Sequence, residues 1–313
     1  MGNITTSSIK YIKFLYNPTT KWEEEYLSNS DTDIDTDIDT DIDTDIDTDI
    51  DTDIDTDIET NIKTNIKTDI KNNICMFSPN NPKKAIIIGI NYINSSNPLH
   101  GCINDVKNLK KFLIDNLYFN TKNIIYMSDN SYKKSYLPTQ FNIKQQIKSM
   151  VKWANNNYNS ELWFSFSGHG SNILDHNHCE NKDEVLCTID NNYIKHDWIR
   201  TNLINSINCD VKLFILIDAC HSGTICDLTN NNKQIIMISG CRENQTSADV
   251  FIYKEGEYRG ALTHSFLTMW KNNIENNITI MEYYYKLIRY MNGKYTQKPV
   301  LTTTSKTQNY KLC

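Results

Sequence analysis

Val211–Thr224 reads VKLFILIDACHSGT. Val211, Leu213, Phe214, Ile215, Leu216 and Ile217 form a nearly unbroken apolar run, the pattern of a strand buried on both faces of a parallel sheet. The run stops at Asp218-Ala219-Cys220-His221-Ser222-Gly223, which is small and polar. In open α/β sheets, ligands and chemistry gather at the C-terminal ends of the strands. A thiol at such an end, between an acid and a tight-turning glycine, is a candidate nucleophile. A second stretch of the same design is ELWFSFSGHG, Glu161–Gly170. There Leu162, Trp163, Phe164 and Phe166 run into Ser167-Gly168-His169-Gly170. Two neighbouring strand ends, one carrying His169 and one Cys220, make the simplest thiolate–imidazole site.

Working outward, strands and helices alternate. Ala85–Ile88 predicts the first buried strand, ending at Gly89. A helix follows Ile103-Asn104-Asp105, with Val106, Leu109, Phe112 and Leu113 on one face. Asn123–Met127 predicts a strand and Asn142–Trp153 a helix with Ile143, Ile147, Met150 and Val151 inward. After the His169 strand comes a long polar loop, Ser171–Asn192, then a helix over His196–Ile207. Beyond the Cys220 strand lie an Asn-rich linker, a strand at Gln234–Ser239, helices at Leu262–Trp270 and Ile280–Met291, and an extended piece at Lys298–Thr303. This order implies an α/β fold, a mostly parallel sheet with helices on both faces.

Composition separates the remainder of the chain from this core. Of 313 residues, 32 are basic and 38 acidic. Seven tandem Asp-Thr-Asp-Ile units from Asp31 to Ile58 hold 14 of those acids, which leaves the rest of the chain at about +8. Asp and Thr are poor helix formers and crowded aspartates repel, so the repeat and its decayed continuation to Ile74 read as a disordered spacer over 31–78. Weak calcium sequestration, or an acidic arm folding back on the basic remainder, are its functional alternatives. Residues 1–30 form a separate N-terminal segment, and the domain proper is expected over 83–313.

The lysines are scattered, with no dense basic run that would suggest nucleic acid. No apolar stretch reaches membrane-spanning length. Nine cysteines without framework spacing suggest a reducing, cytoplasmic setting with free thiols, Cys226 and Cys241 among them. Met-Gly-Asn-Ile-Thr-Thr makes Gly2 a candidate for N-myristoylation, which would give weak membrane association.

His169 precedes Cys220 by 51 residues, close to the spacing in animal caspases and opposite in order to papain-like enzymes. Asp-Ala-Cys-His-Ser-Gly at 218–223, Ser-Gly-His-Gly at 167–170, Gly-Cys-Ile-Asn-Asp-Val at 101–106 and Asp-Glu-Val at 183–185 together resemble the metacaspases. Gln-Thr-Ser-Ala-Asp at 245–249 and Tyr-Thr-Gln-Lys-Pro at 295–299 extend the resemblance to roughly residues 84–303. It implies a caspase-like peptidase domain with a large-subunit-like part, 83–228, and a small-subunit-like part, 234–313. It further implies Cys220 as nucleophile, His169 as general base and acid, and the N–H groups of Gly170 and Cys220 as oxyanion hole. Cys102, Asp105, Ser167 and Asp218 would line an acidic pocket for Arg or Lys before the cut, and two carboxylates there would repel an acidic side chain.

The resemblance also implies Ca2+, with Asp183 and Asp197 as candidate ligands and Asp175, Glu180, Glu184 or Asp190 as substitutes. His196 stands where the family carries one of a pair of acids. Self-cleavage is expected at Lys233, with Lys63, Lys67 or Lys71 as alternatives. The partners implied are protein substrates, and the oligomeric state a monomer. Asp175-His176-Asn177-His178-Cys179 has zinc-ligand types but lacks a second ligand pair. The rival reading is a catalytically weak caspase-like scaffold or aggregate-handling protein; the intact His169/Cys220 pair argues against it.

Overall fold

The computed structural model describes residues 74–174, 182–220, 228, 232–240, 249–273, 278–295 and 297–313. The Gly2, repeat, Lys63, Lys67, Lys71, Asp175–Glu180, Cys226 and Cys241 expectations lie outside them. The elements in chain order are β1 (Lys83–Gly89), α1 (Cys102–Asp115), β2 (Ile124–Ser128), α2 (Gln140–Asn155), β3 (Glu161–Ser167), β4 (Gly170–Leu174), β5 (Lys182–Cys187) and β6 (Tyr193–Lys195). They continue with α3 (His196–Ile199), β7 (Lys212–Asp218), β8 (Gln234–Ser239), β9 (Asp249–Ile252), β10 (Glu257–Gly260), α4 (Ala261–Asn273), α5 (Ile280–Met291) and β11 (Val300–Thr303).

Six strands make the main sheet in the order β11-β8-β7-β3-β1-β2, parallel except for β11. All seven residues of the central β3 are buried, which is why its sequence shows no polar alternation. Successive side chains still point to opposite faces. Trp163 stacks on Phe214 at 4.5 Å in a layer with α1, α4 and α5, while Phe164 and Phe166 pack with α2 and the segment His196–Ile207. The helix over His196–Ile207 is shorter than its sequence suggests: α3 widens into a π-type turn at Arg200–Ile204 and stops there.

Three further expectations are corrected. The Ser171–Asn192 region is not a loop throughout, because β4 and β5 lie within it and form an antiparallel three-stranded sheet with β6, which follows directly. Its strands are short and carry Lys, Asp and Glu beside the buried Val185, Leu186 and Ile194, so no apolar run marks them. The thiols are not all free either, since Cys75 and Cys313 are disulfide-bonded. Backbone pairing of Cys75 and Met76 with Lys311 brings the two together across 238 residues of sequence, a distance no local pattern reports. The spacer therefore ends earlier than 78, with Met76 and Phe77 buried in the core beside Trp163 and Phe214.

At the N-terminal edge of the sheet, the fully buried Glu161 meets Lys83 at 3.4 Å and Lys212 at 3.3 Å and accepts two bonds from the Ser78 N–H. Burial pushes the Lys83 ammonium down and Glu161 pulls it back up. Removing one member of such a group strands the other's charge. Glu161→Ala is expected to destabilise the fold by about 3 kcal/mol, read as a lower urea midpoint at unchanged m-value.

Candidate active site

Sheet register decides which strand ends meet. Gly89 pairs with Ser167 and Ser167 with Asp218, so β1, β3 and β7 end at one level. Each chain then turns off the sheet, into His169-Gly170 after β3 and into Ala219-Cys220 after β7. A Cβ on Gly170 would lie 2.0 Å from the Cys220 carbonyl oxygen, so only glycine lets these two segments touch. The structure thus brings the segments that carry His169 and Cys220 into contact at Gly170.

His169 is oriented by a group that sequence reasoning missed. Its Nε2 lies 2.8 Å from the backbone carbonyl of Asn97. With the proton on Nε2 donated there, Nδ1 is left as the basic nitrogen. No third carboxylate is legible in the sequence; a main-chain carbonyl does that work, and it leaves no mark on side-chain identity.

Asp105 and Asp218, the acids expected to line a pocket, each accept several hydrogen bonds. Ser167 Oγ donates to Asp105 Oδ2 at 2.7 Å, and the Gly260 N–H donates to both Asp105 oxygens at 3.0 Å. Asp218 Oδ2 accepts from the Thr263 N–H and Oγ1, both at 2.9 Å, and Oδ1 from Gln297 Nε2 at 3.2 Å. Sequence reasoning missed both of these partners; Gln297 stands in the Tyr-Thr-Gln-Lys-Pro motif, which by itself assigns it no role. A Cβ on Gly260 would sit 2.3 Å from Asp218 Oδ2 and 2.6 Å from Asp105 Oδ2, so both carboxylates flank one point. Burial and the neighbouring Asp218 push the Asp105 carboxyl well above its usual range. Cys102, buried at the start of α1, has its thiol pushed up by burial and then by Asp105.

Residues 83–229, which include all of these groups except Gly260, Thr263 and Gln297, match the family model described as metacaspase, peptidase C14 domain. Metacaspase-1 of Plasmodium falciparum is 32% identical, over 67% of this chain and 38% of that protein. Metacaspase-1 of Eremothecium gossypii is 29% identical, over 70% and 63% respectively. This chain belongs to the metacaspases.

Metacaspase-1B of Aspergillus fumigatus is 27% identical, over 70% of this chain and 69% of that one. The chain thus spans 63% and 38% of the first two relatives' length. A crystal structure of a protein from Geobacter sulfurreducens superposes with a TM-score of 0.59 at 19% identity, over 74% of this chain and 98% of that one; the likeness is one of fold.

Among the described residues, the candidate metal ligands of this metacaspase are not gathered. Asp183 Oδ2 is paired with Lys195 at 2.7 Å, and Asp197 Oδ1 with Arg200 at 2.6 Å. Glu184 is buried against His196, 2.9 Å away, and Asp190 accepts from Thr188, the Gln140 N–H and Asn192. Four acids each committed to a different donor do not offer the six or more oxygens a calcium ion needs. Among the described residues no group of three or more His, Cys, Asp or Glu side chains is placed to hold a metal. Asp183 and Asp197 therefore do not fit calcium in this arrangement.

Lys233, expected on a free linker of the metacaspase, has its ammonium on the carbonyls of Ile204, Asn205 and Ile207, at 3.0 Å from the first and 2.6 Å from the last. It caps carbonyls left open where the helical segment ends. Cleavage after Lys233 requires those bonds to open first. No helix of the described residues is long and apolar enough to cross a membrane.

Proposed function

We propose that the chain is a cysteine endopeptidase cutting polypeptides after arginine or lysine, with Cys220 as nucleophile and His169 as general base and acid. The observation that carries the specificity is the meeting of Asp105 and Asp218 over Gly260, at the strand ends that bear the two reacting groups. A guanidinium or ammonium seated between two carboxylates is held by charge-assisted hydrogen bonds, whereas an acidic side chain there meets repulsion.

In this reading His169 Nδ1 takes the Cys220 proton while Nε2–H stays on the Asn97 carbonyl, and the thiolate attacks the carbonyl carbon of the basic residue itself. The N–H groups of Gly170 and Cys220 receive the developing oxyanion. The imidazolium then protonates the leaving amine, and His169 activates the water that cleaves the thioester.

The test is a fluorogenic peptide panel ending in Arg, Lys, Asp or Asn, with the full chain. Turnover of Arg and Lys peptides and not of Asp or Asn peptides is the expected result; equal or preferred turnover of Asp or Asn would sink the specificity. A chelator arm reads calcium separately. Loss of turnover there would place the ion on ligands other than Asp183 and Asp197 in their present pairs. Self-cleavage after Lys233 would yield two pieces still joined through Cys75–Cys313, so they separate only on reducing gels.

A further inference from the structure

We infer that Tyr92 is a positioning residue for His169, built into the backbone rung that sets where the imidazole stands. The inference rests on His169 being the base. β4 and β5 pair antiparallel with Gly170 opposite Leu186, which puts His169 opposite Cys187 one step further along. One half of that rung is ordinary, the Cys187 N–H donating to the His169 carbonyl at 3.0 Å. The other half contains a side chain. The His169 N–H donates to the Tyr92 phenol oxygen at 2.8 Å, and the phenol donates to the Cys187 carbonyl at 2.9 Å. The hydroxyl thus stands where a direct N–H to carbonyl bond would close the ladder, and holds the rung open.

The same ring lies 4.5 Å from the imidazole centroid, tilted by 34°. A single side chain therefore sets both the backbone and one face of the histidine. Burial pushes the phenol well above its ordinary value, so the O–H needed by the Cys187 carbonyl is retained.

The loop that carries Tyr92 is arranged for this contact. Tyr92 sits at φ +53°, a left-handed conformation that is costly for a bulky side chain and persists only when the surroundings impose it. They do. The N–H groups on either side of it, Asn91 and Ile93, are both held by the Asp129 carboxylate, at 3.2 and 3.0 Å. Leu99 N–H returns to the Asn91 carbonyl at 2.8 Å, which closes the loop so that Asn97 presents its carbonyl to His169 Nε2. Opposite, a Cβ on Gly168 would come within 2.8 Å of the phenol oxygen. Strained backbone, an inserted hydroxyl, ring contact and an absent Cβ all serve one side chain against the base.

The test is Tyr92→Phe in the full chain, which keeps the ring and lets the rung close directly. A shift of this size at a reacting group is expected to lower kcat about ten- to a hundred-fold with KM unchanged. The pH midpoint for alkylation of Cys220 by iodoacetamide should move up, because a displaced imidazole supports the thiolate less well. Gly168→Ala, which pushes the phenol from the other side, should reproduce both effects in milder form and covers the case in which Tyr92→Phe does not fold. Wild-type kcat and alkylation profile in the folded variants, with only a lower Tm, would overturn the inference and leave Tyr92 a structural residue. His169→Ala run alongside tells the two readings apart: if it keeps turnover and alkylation profile, the assignment of His169 itself has failed.

Discussion

Cys220→Ala is expected to lower kcat/KM on arginine peptides by about a thousand-fold or more, and His169→Ala by a comparable factor. The two side chains act as a unit, so the double variant should be little worse than either alone. KM should stay within a few-fold in all three, since the acid pair proposed to bind the basic side chain is untouched. Steady-state kinetics with thermal unfolding as a control checks this. Retention of turnover by Cys220→Ala would move the nucleophile elsewhere, and Cys187, pushed up by burial and by Cys220 itself, is a poor substitute.

Neutralising the pocket should change specificity almost as strongly. Truncating one partner of a buried, hydrogen-bonded charge pair costs about 2–5 kcal/mol. Asp218→Asn or Asp105→Asn is therefore expected to reduce kcat/KM for Arg and Lys peptides about a hundred-fold, chiefly through KM. The direction of the Asp105 shift adds a pH signature. In the folded protein this carboxyl holds its proton to a higher pH than in the unfolded chain. KM for arginine peptides should accordingly fall as pH rises through its folded value and the pocket gains the Asp105 charge.

Stability runs the opposite way. Between the ordinary carboxylate value and the raised one, the folded protein binds a proton that the unfolded chain has released, so stability declines as pH rises across that window. Asp105→Asn removes the titrating group and should flatten both curves. The variant would be more stable than wild type at neutral pH and worse at binding arginine. A KM that stays pH-independent in the wild type, with a variant as active as its parent, would remove Asp105 from the pocket.

Much of the sheet is legible in the amino-acid sequence alone. The strands β1, β3, β7 and β8 are each long enough and apolar enough to be recognised singly, because a strand covered on both faces has no polar positions to dilute its signal. The apolar periodicity of Ile280–Met291 likewise marks α5 where it is found, and Thr279 and Glu282 close a capping box at its start. The β4–β6 sheet and the β9–β10 hairpin leave no comparable signal. Their strands are three to six residues long with at most a few buried positions, and pairing partners rather than composition hold them.

For the candidate site, the sequence by itself picked out residue types and the elements that carry them: His169 just after β3, Asp218 and Cys220 at the end of β7, and Asp105 in the first turn of α1. Burial and glycine spacing are local properties, and a chain writes them locally. Only the tertiary structure decided what surrounds each of those groups. The Asn97 carbonyl on His169, the Tyr92 hydroxyl in the β4–β5 rung, Thr263 and Gln297 on Asp218, and the closure of Cys75 on Cys313 all join residues distant in sequence. Tertiary structure likewise committed Asp183 to Lys195 across the β5–β6 pair, and Lys233 to three carbonyls. The physical reason is the same throughout. A hydrogen bond or ion pair is satisfied by whatever donor folding brings within about 3 Å, and that depends on loop paths and register, which no stretch of sequence read alone records.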